Sequence, residues 1–156
     1  MATPVDGFTT LPSQAPVLNM DTGRAAMFNL QSAQTGNRVV VFEEVMPAGC
    51  QTPLHLHHTS DEVMYILNGD FTFQIGELET RGGAGACVFF PRGIAHAWKN
   101  SGAEAGRALF VFTPVEAGQL FEEMLQEQRP PQSMDMAIFE KLFPKYGWEI
   151  VGPPSF

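Results

Sequence analysis

Between Ala25 and about Pro114, apolar residues come in short runs broken by turn formers: AAMFNL, RVVVFEEVM, EVMYIL, DFTFQI, ACVFFP, HAWKN and RALFVFT. Runs of this length and spacing predict an antiparallel sandwich or barrel, so the expected fold class is all-β. After Pro114 the period changes. Leu120, Phe121, Met124 and Leu125 recur at helical spacing, and so do Ile138, Phe139, Leu142 and Phe143. Pro130 and Pro131 separate the two segments, Ser133 is placed as an N-cap, and Pro144 ends the second. Segments so short and one-sided cannot bury a core of their own. The expectation is one domain over residues 1–156, with a barrel at about 25–114 and a helical cover at about 115–146.

Within YILNGDFTFQI, Asn68-Gly69 between two alternating runs predicts a hairpin with a two-residue type I′ turn. In that register Ile66 pairs with Phe71, Met64 with Phe73, and Glu62 with Ile75; paired residues share a face. Five of these six are apolar, which turns the face inward and leaves Glu62 as its single charge. A bare buried carboxylate is costly, so it calls for a cation or a proton. The opposite face carries Val63, Tyr65 and Leu67, a row that a C-terminal helix or a second subunit must cover.

Composition narrows the picture. Hydrophobic residues make up 44%, including 13 Phe, enough for one sizeable core. The 15 glycines and 12 prolines favour turns and short strands. A net charge of −8 argues against nucleic acid and anionic membranes as partners, and against a highly phosphorylated substrate. Cys50 and Cys87 have neither CxxC spacing nor the density of a disulfide framework, and read as inert, small apolar residues. The start MATPVDGFTTLPSQ lacks the basic and apolar segments of a signal peptide, and no run approaches a membrane span. A reduced, cytoplasmic location is expected.

The candidate chemistry lies in HLHHTSDE, residues 55–62. On a strand, His55 and His57 point to one face and can bind one ion; on a helix they would diverge by about 200°. His58 and Asp61 have the wrong parity. Thr59 and Ser60 supply a turn, after which Glu62 enters the next strand pointing inward. His96, a further candidate, follows a Pro-x-Gly turn in PRGIAHAWKN, and Asn100 shares its strand face as a structural hydrogen-bonder.

Gly49-x5-His55-x-His57-x4-Glu62-x6-Gly69 resembles the first cupin motif, and Gly85-x5-Pro91-x-Gly93-x2-His96-x3-Asn100 the second, with 15 residues between them. The tail KYGWEIVGPP is similar to that of small bacterial cupins described as quercetin-dioxygenase-like. The resemblance implies a jelly-roll β-barrel (a double-stranded β-helix) with His55, His57, Glu62 and His96 on one divalent metal. Three imidazoles and a carboxylate suit iron, nickel, manganese, copper, cobalt or zinc better than calcium or magnesium. Met64, Phe71, Phe73 and Trp98 are the candidate walls of a substrate pocket.

The activity implied is that of an oxidoreductase, a dioxygenase acting on an aromatic, phenolic or enol substrate, with Glu62 as both ligand and base. A metal-dependent isomerase or decarboxylase is the alternative enzyme class, for which Arg81, Arg92 and Lys99 offer no clear inward anchor. A non-catalytic small-molecule-binding cupin is the third reading. Cupins of this type are commonly dimeric, so a homodimer is expected, with a small-molecule substrate and dioxygen as the other partners.

Overall fold

The computed structural model describes residues 5–127 and 136–156. Pro130, Pro131 and Ser133 lie outside the described residues, as do the side chains of Ile138 and Phe139. Two antiparallel sheets face each other. The first has the order β1 (Val17–Asp21), β2 (Arg24–Leu30), β3 (Val40–Met46), β10 (Gly106–Thr113), β5 (Asp61–Asn68), β8 (Cys87–Phe90). The second runs β11 (Trp148–Gly152), β4 (Leu54–His57), β9 (His96–Asn100), β6 (Phe71–Ile75), β7 (Leu78–Gly82). Helices α1 (Glu116–Glu127) and α2 (Met136–Leu142) lie between β10 and β11. The sheets extend past the expected barrel at both ends, because β1 precedes Ala25 and β11 follows the helices. Among the described residues, no helix is long and apolar enough to cross a membrane.

The expected Asn68-Gly69 hairpin does not form. β5 sits in the first sheet between β10 and β8, whereas β6 sits in the second between β9 and β7. Glu62 therefore stands opposite Phe112 and Phe90, and Ile75 opposite His96 and Leu78. The chain uses Asn68-Gly69 to cross from one sheet to the other. Gly69 is required by its φ of +102° and because a Cβ there would lie 2.9 Å from the Cα of Gly106.

The inward assignment survives the wrong pairing, since alternation belongs to each strand and not to its neighbour. Glu62, Met64, Ile66, Phe71 and Phe73 are all buried, and only Ile75 is half-buried. The local hairpin is instead β6–β7, turned by Gly76-Glu77 with Gly76 at φ +57°. A glycine at the first central position with positive φ fits a type II′ turn. β7, LETRG, escaped the sequence pattern because all of it but Gly82 is exposed, leaving no alternation to read.

The core is an aromatic stack. Phe42 packs on Phe28 at 5.4 Å, Phe110 at 5.4 Å, Phe112 at 5.8 Å and Phe121 of α1 at 5.0 Å between ring centroids. Helix α1 buries Ala117, Gly118, Leu120, Phe121 and Leu125 over the barrel end marked by Val40 and Phe112. Buried Ser60 accepts the N–H of Ala117 at 3.0 Å, tying the helix start to the turn before β5. Because α1 closes an end, it leaves the outer row uncovered: Tyr65 is 42% and Leu67 40% exposed. Exposed Cys87 stands beside Tyr65 in the register, and Cys50 is half-buried against the core.

Candidate metal centre

β4 carries His55 and His57 on its inner face, with Leu54 and Leu56 half-buried on the other. β5 turns Glu62 inward, and β9 opens on His96, directly across from His55. The turn before β9 is tied to β4, since Gly93, at φ +76°, donates its N–H to the His57 carbonyl at 2.7 Å. The four side chains are sealed from solvent, at 2%, 1%, 3% and 0% exposure in chain order. One donor atom from each lies within 4.8 Å of the others. Opposed ligands on an ion with ~2.1 Å bonds stand ~4.2 Å apart, so a small side-chain adjustment would close the set on one ion. His58 points outward to Glu149 at 2.7 Å, and Asp61 to Arg92 at 2.8 Å.

Proton positions follow from what each nitrogen faces. His55 Nδ1 lies 2.8 Å from the Pro53 carbonyl and His96 Nδ1 3.0 Å from that of Ile94. A carbonyl only accepts, so both Nδ1 atoms carry hydrogen and, in the neutral rings, both Nε2 atoms carry a lone pair. His96 Nε2 then faces Glu62 Oε2 at 3.2 Å, two acceptors in contact unless a proton or a cation lies between them. His57 Nε2 meets the same oxygen at 2.9 Å, while its Nδ1 is buried without a hydrogen-bond partner.

Burial, with the neighbouring His96 and His57, pulls the pKa of His55 down to about 3. Burial likewise lowers His57, against the pull of Glu62. Burial pushes Glu62 up, but the ring nitrogens of His57 and His96 against its Oε2 outweigh it and hold the carboxyl below its ordinary range. Neutral imidazoles beside an ionised carboxylate are the state that ligates a metal. The four residues could hold a metal ion, and their donor set fits a first-row transition ion.

The proposed wall residues Met64, Phe71, Phe73 and Trp98 all lie in the barrel interior, each at most 2% exposed. Trp98 meets Phe71 edge-on at 6.3 Å and Phe110 at 6.0 Å. Asn100 acts as a structural hydrogen-bonder: its Nδ2 donates to the carbonyls of Met46, Pro47 and Glu104, and its Oδ1 accepts from Gly102.

Three residues with a bearing on the interior escaped the sequence reading. Trp148 on β11 stacks on His55 at 4.9 Å and 6°, stands edge-on to His57 at 4.2 Å, and donates Nε1–H to the Ala117 carbonyl at 3.0 Å. Nothing local marks a residue 93 positions beyond His55 as its neighbour. Arg24 and Glu44 form an interior ion pair at 2.6 Å. Their signal was parity: Arg24 alternates with Ala26 and Phe28, and Glu44 with Val40, Phe42 and Met46, but Glu43-Glu44 blurred which face was meant.

Residues 41–112, which contain all four clustered residues, match the family model described as Cupin domain, and the fold is the cupin double-stranded β-helix with a C-terminal helix packed on it. No curated protein matches the chain by sequence. Among solved structures, the chain is similar to the TT1209 protein of Thermus thermophilus, with 28% identity and a TM-score of 0.53 over 60% of this chain and 85% of that one. It is similar in fold to a predicted oxalate decarboxylase of Thermotoga maritima, with 20% identity and a TM-score of 0.62 over 68% and 98%. A sugar phosphate isomerase of the cupin superfamily from Silicibacter pomeroyi has 22% identity and a TM-score of 0.51 over 59% and 60%.

Proposed function

We propose that this chain is a metal-dependent oxidoreductase, a dioxygenase acting on an aromatic or enol substrate with an acidic hydroxyl. The observation that carries the reading is one ionised carboxylate, Glu62, set among three imidazoles in an interior whose walls include Met64, Phe71, Phe73 and Trp98. A flat apolar ligand gains ~25 cal/mol for each Å² it removes from water in such a space, whereas a sugar phosphate would have to compete with Glu44 for Arg24. A bound first-row ion would supply Lewis acidity toward an oxyanion and a redox couple toward dioxygen.

The chain's own residues do the rest. Glu62 Oε2 accepts the substrate's hydroxyl proton, a transfer that favours hydroxyls already acidic, as in phenols and enols. The aromatic walls hold the ring plane and exclude the water that would return the proton. Both atoms of dioxygen end in the product as a carbon–carbon bond of the enol opens.

The test is oxygen uptake by protein loaded in turn with iron, nickel, manganese, cobalt and copper, against a panel of flavonols, catechols and enols. Uptake is expected with at least one pairing, and none across the whole panel overturns the proposal. Glu62→Gln is expected to abolish turnover while part of the metal content, measured by elemental analysis, remains.

Decarboxylation of a small acid is the second reading, favoured by Arg24 inside the barrel and by the name of the Thermotoga relative. It ranks lower because Glu44 already holds the guanidinium, so an acid substrate would have to displace it. Carbon dioxide release from oxalate by the manganese-loaded protein would place it first.

A further inference from the structure

The four clustered donors come from two sheets. His55, His57 and His96 stand on β4 and β9 of the second sheet, where His55 lies across from His96 and Gly93 donates to the His57 carbonyl. Glu62 comes alone from β5 of the first. Among the described residues, its carboxylate has no hydrogen-bond partner besides His57 and His96, the groups that a metal would claim. No other polar group holds Glu62, so its place is set by the packing of its stem and by the backbone of β5.

One turn bears on that backbone. β8 runs beside β5 as far as the pair Glu62–Phe90, where their ladder ends. The chain then passes through residues 91–95 into the second sheet and opens β9 at His96. Three successive residues of this turn each reach a different part of the cluster. Ile94 offers its carbonyl to His96 Nδ1 at 3.0 Å, and Gly93 donates to the His57 carbonyl at 2.7 Å. Arg92 reaches Asp61, the residue before Glu62. Its backbone N–H and its Nε donate to Oδ1 at 3.0 and 3.1 Å, and its Nη2 donates to Oδ2 at 2.8 Å.

Two donors of one guanidinium on two oxygens of one carboxylate fix direction as well as distance. The backbone N–H adds a third bond, so Asp61 is tied to the turn itself and not only to a side chain. Asp61 and Glu62 are consecutive on a strand and point to opposite faces. Holding the outer carboxylate therefore sets the rotation of the strand at that point, and with it the direction in which Glu62 projects. An ion pair whose side chains are 47% and 26% exposed adds little to global stability, so its effect falls on the site more than on the fold.

We propose that Asp61 and Arg92 are a positioning pair for the metal centre: from outside the barrel they set Glu62 against His96, so that the carboxylate completes the set of three imidazoles. Neither residue touches the metal or the substrate. This rests on reading the His55–His57–Glu62–His96 cluster as a metal site, and it holds whichever reaction that site performs.

Two measurements test this without turnover: zinc affinity by competition with a chromophoric chelator, and the visible spectrum of the cobalt-loaded protein. Asp61→Asn and Arg92→Lys should each weaken zinc binding about tenfold, the low end for loss of a group that orients a ligand. Arg92→Lys keeps the charge but not the fork, and covers the case in which Asp61→Asn does not fold. In a chain that already carries Glu62→Ala, where three imidazoles hold the ion, the same substitutions should change zinc affinity less than twofold. The cobalt spectrum of Asp61→Asn should move toward that of Glu62→Ala, which a merely structural role would not bring about. Wild-type affinity and spectrum in both variants, or equal losses with and without Glu62, overturn this inference and leave the proposed function standing. A wild-type chain that takes up neither metal overturns both.

Discussion

Replacing Trp148 tests whether the strand that closes the chain also holds the metal centre in shape. The indole covers His55 face-on at 4.9 Å, meets His57 edge-on at 4.2 Å, touches Phe121 and Phe143, and is anchored to α1 through Ala117. Trp→Ala in a packed site costs ~3–5 kcal/mol, and Trp148 belongs at the low end because it is only half-buried. Trp148→Phe keeps the ring contact, worth ~0.5–1.5 kcal/mol, and loses chiefly the Nε1–H bond, worth ~1 kcal/mol. A domain of this size is stable by ~5–15 kcal/mol, so both variants are expected to stay folded.

The effect on the site is larger than on the fold. The His55 ring is held by the Pro53 carbonyl on its edge and by the indole on its face. Removing a group that orients a ligand lowers metal affinity ~10–100-fold. Trp148→Ala should therefore weaken zinc binding about tenfold or more, and Trp148→Phe by less than about threefold. Urea unfolding gives the stabilities, and competition with a chromophoric chelator gives the affinities. Zinc affinity within twofold of wild type in Trp148→Ala, or equal losses in the two variants, would refute the reasoning.

Acid should destabilise the metal-free chain. His55 titrates near 3 when folded and near 6.5 when unfolded, so the unfolded chain binds the extra proton between those values and stability falls as pH falls. The loss is ~2 kcal/mol by pH 5 and approaches ~5 kcal/mol near pH 3, with depressed Glu62 adding to it below its ordinary range; urea midpoints unchanged between pH 7 and 5 would contradict this. Gly118→Ala gains up to ~1 kcal/mol of helix propensity, but its Cβ would sit 2.8 Å from Val40 Cβ and 3.2 Å from Phe112 Cβ. Overpacking of that kind costs ~1–3 kcal/mol, so a net loss is expected on thermal unfolding and a gain would sink the account. Tyr65, Leu67 and Phe89 form an exposed apolar face that we propose a second copy covers; light scattering after size exclusion should return a dimer, Tyr65→Glu a monomer, and a wild-type monomer removes the idea.

What could be read along the chain was whatever depends on a strand and its own neighbours. The i, i+2 placement of His55 and His57, the exclusion of His58 and Asp61, and the inward turn of Glu62, Met64 and Ile66 all follow from a period of two. That period is set by backbone geometry at each residue, so it holds whichever strand lies alongside. Hence Glu62 was placed correctly although its pairing was not: a turn signal such as Asn68-Gly69 reports that the chain bends, not which sheet it enters next.

What only the tertiary structure decided is everything that needs two distant segments at once. It brought His96 across from His55, closed Trp148 over both β4 histidines, and laid α1 over the barrel end so that Tyr65 and Leu67 stayed bare. It also joined Arg24 to Glu44, two charges whose local patterns each allowed an exposed face. Whether a charge is sheltered depends on the partner that meets it, and that partner is set by how the sheets close, not by the residues beside it in the chain.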